Sequence, residues 1–181
     1  MLSEHDPLQT ASARQFLAYW DSLPKVDFVP DRQDFSPSRI ATLMSAVTLL
    51  EVVSEDLILQ RLTGTAICRA LGFDPTGRNV ADLMSPLLWP EYREMISLQL
   101  SVPCGRRNML RSRRSNLVDR AEVLTLPLRH ALSGHWMILS YFDGLDPVGY
   151  DPGPYEILGY EDTRWIDTGA GVPGQTRPGQ K

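Results

Sequence analysis

The chain is short of sulfur, of histidine and of long apolar runs, and each shortage removes a class of protein. Its 181 residues hold two cysteines and three histidines. Cys68 and Cys104 stand at unrelated positions, so there is neither a disulfide framework nor a CxxC zinc knuckle. No apolar segment approaches the roughly 20 residues needed to span a bilayer. The first ten residues are polar and acidic, without the basic and apolar regions of a secretory leader. A cytoplasmic protein with free thiols, away from the membrane, is expected. Basic excess is missing as well. The formal net charge is −4, which argues against a dedicated nucleic-acid binder. There is no Gly-x-Ser-x-Gly elbow, no HExxH and no phosphate loop, and no pair of carboxylates stands apart from a solvated surface. No enzyme is expected.

What is present suffices for a packed core, since 43% of the residues are hydrophobic. Three regions differ in texture. Residues 1–45 read as a helical cap. Phe16, Leu17, Trp20 and Leu23 recur at helical spacing over 13–23, with Ser12 as the cap and Pro24 as the stop. Ser36-Pro37 opens a second helix toward Ile40, Leu43 and Met44.

Residues 46–145 form an α+β module. Strands are expected at 47–53 and 57–63 across a tight turn, then short helices at 65–71 and 80–84. Gly72 suits a left-handed cap after the first, and Asn79 an N-cap before the second. A longer helix at 90–100 places Tyr92, Ile96 and Leu100 on one stripe, and strands at 108–114, 121–129 and 135–142 complete the module. Pro127 predicts a bulge or strand end, because proline removes a ladder donor. Residues 146–181 are dense in Pro and Gly and are expected to be largely irregular. Tyr155, Ile157, Leu158, Tyr160, Trp165 and Ile166 are too apolar for a linker, so they should dock on the domain or bind a partner.

Strand and glycine punctuation carry the family signal. The run Leu57-Ile58-Leu59-Gln60-Arg61-Leu62-Thr63-Gly64 precedes a helix containing Ile67-Cys68, then Gly72 and the turn Asp74-Pro75-Thr76-Gly77-Arg78-Asn79. This order resembles the front half of a PAS domain, a sensory and interaction fold. It is more similar still to the short, stand-alone bacterial PAS proteins of alphaproteobacterial type, which share the Arg-x-x-Gly-Thr strand end, the Ile-Cys helix and the Asp-x-Thr-Gly-Arg turn. The cap segment Phe16-Leu17-Ala18-Tyr19-Trp20 is similar to theirs. The resemblance implies a five-stranded antiparallel sheet flanked by helices, and a role in signal transduction through small-ligand or protein binding. A structural adaptor whose own side chains fill the core is the alternative, and a small-molecule enzyme on a cone-like α+β fold a weaker one. With no output module in the sequence, the signal would pass through contacts with a protein partner.

Cofactor chemistry was weighed against the residues. In light-sensing PAS domains the reactive cysteine directly follows Gly-Arg-Asn. Here Gly77-Arg78-Asn79 is followed by Val80, and Cys68 comes a helix too early. The expected helix at 90–100 has no histidine to ligate haem. His130 and His135 flank a turn, too few ligands for a metal. No cofactor and no metal are expected. Arg106, Arg107, Arg111, Arg113 and Arg114 form the one strong charge cluster, which reads first as protection of an edge strand at 108–114 and otherwise as an attraction for an acidic partner or an anionic ligand such as a nucleotide messenger. Arg61 and Arg78 are expected to bond backbone carbonyls of the inter-helix turn, and Gly64, Gly72 and Gly77 to serve backbone geometry.

Both faces of the sheet read as apolar, so a second cover is needed on the face the module's helices leave open. Phe16 and Trp20 supply it, from the same chain or from a second copy. A homodimer built on that helix is expected. A small apolar ligand would lie between helices 65–100 and the inner sheet face. Ile58, Leu62, Ile67 and Leu83 are candidate lining residues, with Ile96, Met109, Leu126 and Ile138.

Overall fold

The computed structural model describes residues 8–145 and 155–175. Helix α1 (Ala11–Asp21) comes first. Its cap is Thr10, whose hydroxyl accepts the Ala13 amide at 3.2 Å, two residues before the expected Ser12. A two-residue ladder follows, β1 (Lys25–Val26) against β2 (Val29–Pro30). The second helix of the cap shrinks to 3₁₀ turns at Pro37–Ile40 and Met44–Ala46; Ser36 takes the N-cap position of the first, without a side-chain cap bond.

The main sheet is antiparallel throughout. Strands β3 (Val47–Val52) and β4 (Ile58–Thr63) form a hairpin with a bulge after Leu49. Helix α2 (Thr65–Leu71) leaves β4 at Gly64, where a Cβ would meet the Ser45 carbonyl oxygen at 2.2 Å, so no larger residue fits. It ends at Gly72 with φ +82°, the left-handed cap that favours glycine. The 74–79 turn, with Gly77 at φ +86°, returns along the β4 edge. There the Gly77 amide reaches the Gln60 carbonyl at 2.7 Å and the Gln60 amide the Arg78 carbonyl at 3.0 Å. Asn79 caps the 3₁₀ turn Val80–Leu83 and accepts the Ile58 amide at 3.2 Å, tying that turn to β4. Helix α3 (Trp89–Ser101) then leads into β5 (Gly105–Arg114), β6 (Leu117–Arg129) and β7 (Trp136–Asp143).

The α+β class is as expected, but the sheet has a sixth strand. Residues expected to be irregular form β8 (Tyr155–Ile166), which pairs with β5 and gives the order β4-β3-β7-β6-β5-β8. The apolar residues of that segment dock on the domain as an edge strand. After β8, residues 167–175 are irregular as expected, while 146–154 and 176–181 lie outside the described residues. β5 is thus interior, and its arginines do not guard an edge. Arg111 bonds Glu161 at 2.8 Å, Arg113 pairs with Glu156, and Arg114 lies over the Tyr155 ring. Acids on β8 answering bases on β5 favour this strand pairing. Pro127 neither bulges β6 nor ends it. β5 pairs with β6 only as far as Thr125, so Pro127 has β7 alone beside it and no second ladder to break.

The two faces of the sheet have different covers. α1 and the cap turns bury one face, with Phe16, Trp20, Phe35 and Ile40 against Leu49, Leu124, Leu126, Leu128, Leu139 and Tyr141. Phe16 stacks on Tyr141 at 5.4 Å, and the Trp20 indole donates to the Pro127 carbonyl at 2.9 Å. Both are fully buried within their own chain. They are therefore not free for a second copy, because this chain's own sheet offers the apolar surface they need. α2, the 3₁₀ turn and α3 cover the other face, where Leu50, Ile58, Val80, Tyr92, Ile96 and Ile138 pack together.

One ionic cluster ties the cap to the sheet. Arg107, buried on the α1 side of β5, donates its Nε to Glu122 at 3.0 Å and its Nη1 to Asp162 of β8. The Glu122 carboxylate also accepts the amides of Gln9 (2.8 Å) and Thr10 (3.0 Å), just before α1.

Candidate ligand cavity

Between α2, the Val80–Leu83 turn, α3 and the sheet lies a cavity of about 90 Å³. Its walls are apolar: Leu50, Ile67, Leu71, Val80, Leu83 and Leu110 among others, with Tyr155, Ile157 and Tyr160 from β8. The sheet floor is polar. Alternation along the strands turns Thr48, Gln60, Arg106, Asn108, Thr125 and Ser140 to this face.

Part of that floor is internally satisfied. Gln99 donates to the carbonyls of Cys104 (2.9 Å) and Thr125 (3.1 Å), while the Thr125 hydroxyl lies 3.2 Å from both Gln99 Oε1 and the Arg106 carbonyl. Gln60 donates to the Leu62 carbonyl at 2.9 Å. Arg106 and Asn108 differ. Arg106 is 1% exposed and Asn108 0%, yet Arg106 Nε and Nη1 and both amide atoms of Asn108 have no hydrogen-bond partner among the described residues. Leaving buried polar groups unpaired costs about 1–3 kcal/mol each, and more for a charge.

Among the described residues no counter-charge offsets the guanidinium. The cavity lining holds no Asp, Glu or second cation. The groups acting on Arg106 are Tyr92, Tyr160 and Cys104, and burial raises the pKa of each, the Cys104 thiol to about 12, so all three stay neutral. Burial also lowers the pKa of Arg106, but an arginine in a protein keeps its proton. Tyr160 stacks on Tyr92 at 5.7 Å and closes the cavity beside β8.

Of the eight expected lining residues, Ile67 and Leu83 line the cavity. Ile58, Ile96 and Ile138 lie in the same layer but are consumed by packing with one another. Leu62 and Leu126 face α1 instead. The bulge after Leu49 moves Leu62 off the face of Ile58 and Gln60 and pairs it with Leu49. Leu126 is one residue out of phase with Val123 and Thr125, and a one-residue error reverses the face. Met109 alternates with Arg106 and Asn108 onto the opposite side, where its sulfur lies 3.1 Å from Arg107 Nη2. The polar floor is not legible from an edge strand at 108–114, which leaves Arg106 outside it; the observed strand begins at Gly105 and lies inside the sheet. The signal was the alternation Arg106, Asn108, Leu110, Ser112, which in an interior strand turns all four inward.

The motif residues also find other partners. Arg61 bonds Glu51 across the hairpin at 2.6 Å rather than turn carbonyls, and Arg78 lies over the Phe73 ring. His135 Nδ1 lies 2.6 Å from the other Glu51 oxygen, and His130 meets Ser133 at 2.7 Å. Cys68 is half-buried and outside the cavity lining, its pKa raised by burial, while Val80 stands on the cavity wall. Among the described residues no group of three or more His, Cys, Asp or Glu is placed to hold a metal, and no helix is long and apolar enough to cross a membrane.

A family model described as PAS domain matches residues 8–140. Among solved structures the chain is similar to an RNA-binding light-oxygen-voltage receptor, with 16% identity and a TM-score of 0.46 over 70% of this chain. It spans 37% of the length of that protein. No curated protein matches.

Proposed function

Because the chain belongs to the PAS-domain family, we propose that it is a non-catalytic sensory or regulatory domain, of the short bacterial type, that responds to a small molecule in its cavity. The observation carrying this reading is the unpartnered polar floor. A core filled by its own side chains would not retain a buried guanidinium and amide with no partner. An enzyme on this frame would need a group that moves protons near neutral pH; among the described residues the lining offers no carboxylate, imidazole or thiol, and burial raises the pKa of its tyrosines Tyr92, Tyr155 and Tyr160.

Occupancy has a physical route out of the cavity. Arg106 faces the ligand space, and the next residue, Arg107, holds Glu122 and Asp162 on the opposite face. A shift of β5 at Arg106 therefore bears on the groups that fasten α1 and β8. The mechanism is a population shift between two packings of these edge elements, read by a protein partner in the cytoplasm. A homodimer would use surfaces other than Phe16 and Trp20.

Native mass spectrometry of the protein purified from its own cells tests the reading. A retained small mass, released on denaturation, is expected. A protein that carries no mass, and whose melting temperature no compound of a metabolite library moves, would sink it.

A further inference from the structure

We infer that the ligand is a small monocarboxylate with a compact apolar body, its carboxylate held by Arg106 and Asn108. The inference rests on the cavity being a ligand site and adds the chemistry of what fills it. Three observations converge.

The first is charge. Among the described residues Arg106 is the one cation in the lining, and no acid accompanies it. A ligand bearing a single negative charge neutralises the site, whereas a dianion such as a phosphate monoester would leave a buried charge of the opposite sign. The second is hydrogen-bond geometry. The unpaired donors at Nε and Nη1 lie on different edges of the guanidinium plane, and a carboxylate can accept a charge-assisted hydrogen bond on either edge. The Asn108 amide, unpaired at both atoms, adds a further donor to the same anion. The third is size and wall chemistry. A cavity of about 90 Å³ admits about six to nine water-sized groups, too few for a nucleotide or a flavin. Beyond the polar floor the walls are Leu50, Ile67, Val80, Leu83 and Val123, which suit a branched aliphatic or a single aromatic ring.

The purely apolar ligand expected from the sequence is thereby replaced by an amphiphilic one. The apolar part gives affinity through buried area, and Arg106 gives selectivity, because a neutral isostere would leave the guanidinium buried and unpaired.

The test measures melting temperature and calorimetric affinity with 3-methylbutanoate, benzoate and a panel of monocarboxylates of similar size. Their primary amides, inorganic phosphate and sodium chloride serve as comparisons. One or more acids should raise the melting temperature, with the matching amide weaker by on the order of 10- to 100-fold. Arg106→Met should abolish the acid response while raising the melting temperature of the empty protein, since it removes an uncompensated buried charge. Acid against amide on the unaltered protein decides the matter even if that variant folds poorly. Amides binding as well as acids, an Arg106→Met protein that responds like the parent, or a response to phosphate or chloride alone would each overturn the inference. If no acid of the panel acts but native mass spectrometry finds a retained neutral compound, the carboxylate inference falls and the sensory reading stands. If neither is found, both fall.

Discussion

Glu122→Ala should loosen the cap from the sheet and lower global stability by several kcal/mol. Both side chains of the Arg107–Glu122 pair are essentially buried, 1% and 2% exposed. Removing one member of such a pair costs about 3–5 kcal/mol, chiefly because the other charge stays behind uncompensated. Two features keep the figure at the lower part of that range. Asp162 still accepts from Arg107 Nη1, and the exposed Gln9 can bond its amide to water. The Thr10 amide, half-buried at the start of α1, loses its acceptor. A loss of about 3 kcal/mol would be about a fifth to three fifths of the stability of an ordinary domain and lower the melting temperature by about 6–12 °C.

Urea unfolding, followed in parallel by circular dichroism and by tryptophan fluorescence, measures this loss. Trp20 on α1 makes the second probe sensitive to the cap. Glu122→Gln keeps an oxygen acceptor for Thr10 but removes the charge, so the difference between the two variants separates hydrogen bond from ion pair. Replacing both partners, Arg107→Met with Glu122→Leu, should recover part of the loss, since the orphaned charge is gone. A Glu122→Ala protein within about 1 kcal/mol of the parent, with both probes coincident, would show that the pair is worth no more than a surface ion pair. The coupling of β5 to the cap would then fail with it.

Replacing Phe16 and Trp20 by Ala should destabilise the protein by more than the about 3–5 kcal/mol typical of one large buried aromatic, without changing the association state of whatever remains folded. Sedimentation that shows a parent dimer becoming a stable monomer would instead place those rings at an interface. Glu51 is held below the ordinary glutamate value of 4.5, first by its hydrogen bond to His135 and then by Arg61, against the opposing effect of burial. A carboxylate with a lowered pKa contributes stability above the unfolded value and loses it as the pH falls through the folded one. Glu51→Gln should therefore cost about 1 kcal/mol at neutral pH, and the gap to the parent should close below pH 4.5 in urea titrations; a pH-independent gap would mean the charge is not involved. Ile96→Trp, at a packed position outside the cavity lining, should cost about 1–3 kcal/mol by overpacking and leave ligand response intact. Loss of binding with no loss of melting temperature would extend the cavity to Ile96.

Local chemistry in the sequence determined most of the module's elements. Gly64, Gly72 and Asn79 mark where a helix must start, stop or be capped, and apolar alternation marks the strands, so their order is legible without coordinates. The need to cover both sheet faces was equally legible, because Trp136, Ile138 and Phe142 alternate with Met137, Leu139 and Tyr141, which puts apolar side chains on both faces. What only the tertiary structure decided was which side each residue meets. Phe16 and Trp20 fit any apolar sheet face, and nothing local says whether it belongs to their own chain. β8 was hidden because Gly159 and the surrounding Pro and Gly suppress strand signals, while its pairing with β5 rests on contacts between residues about 50 apart. That pairing turned a charged edge into an interior strand and committed Arg106 to the cavity. The bulge after Leu49 reversed the face of Leu62 by the same kind of long-range accommodation. Strand period is a local property of the backbone, but phase and partner are set by the whole sheet, so the sequence alone located five strands of the module and left β8 and the chemistry of the cavity undecided.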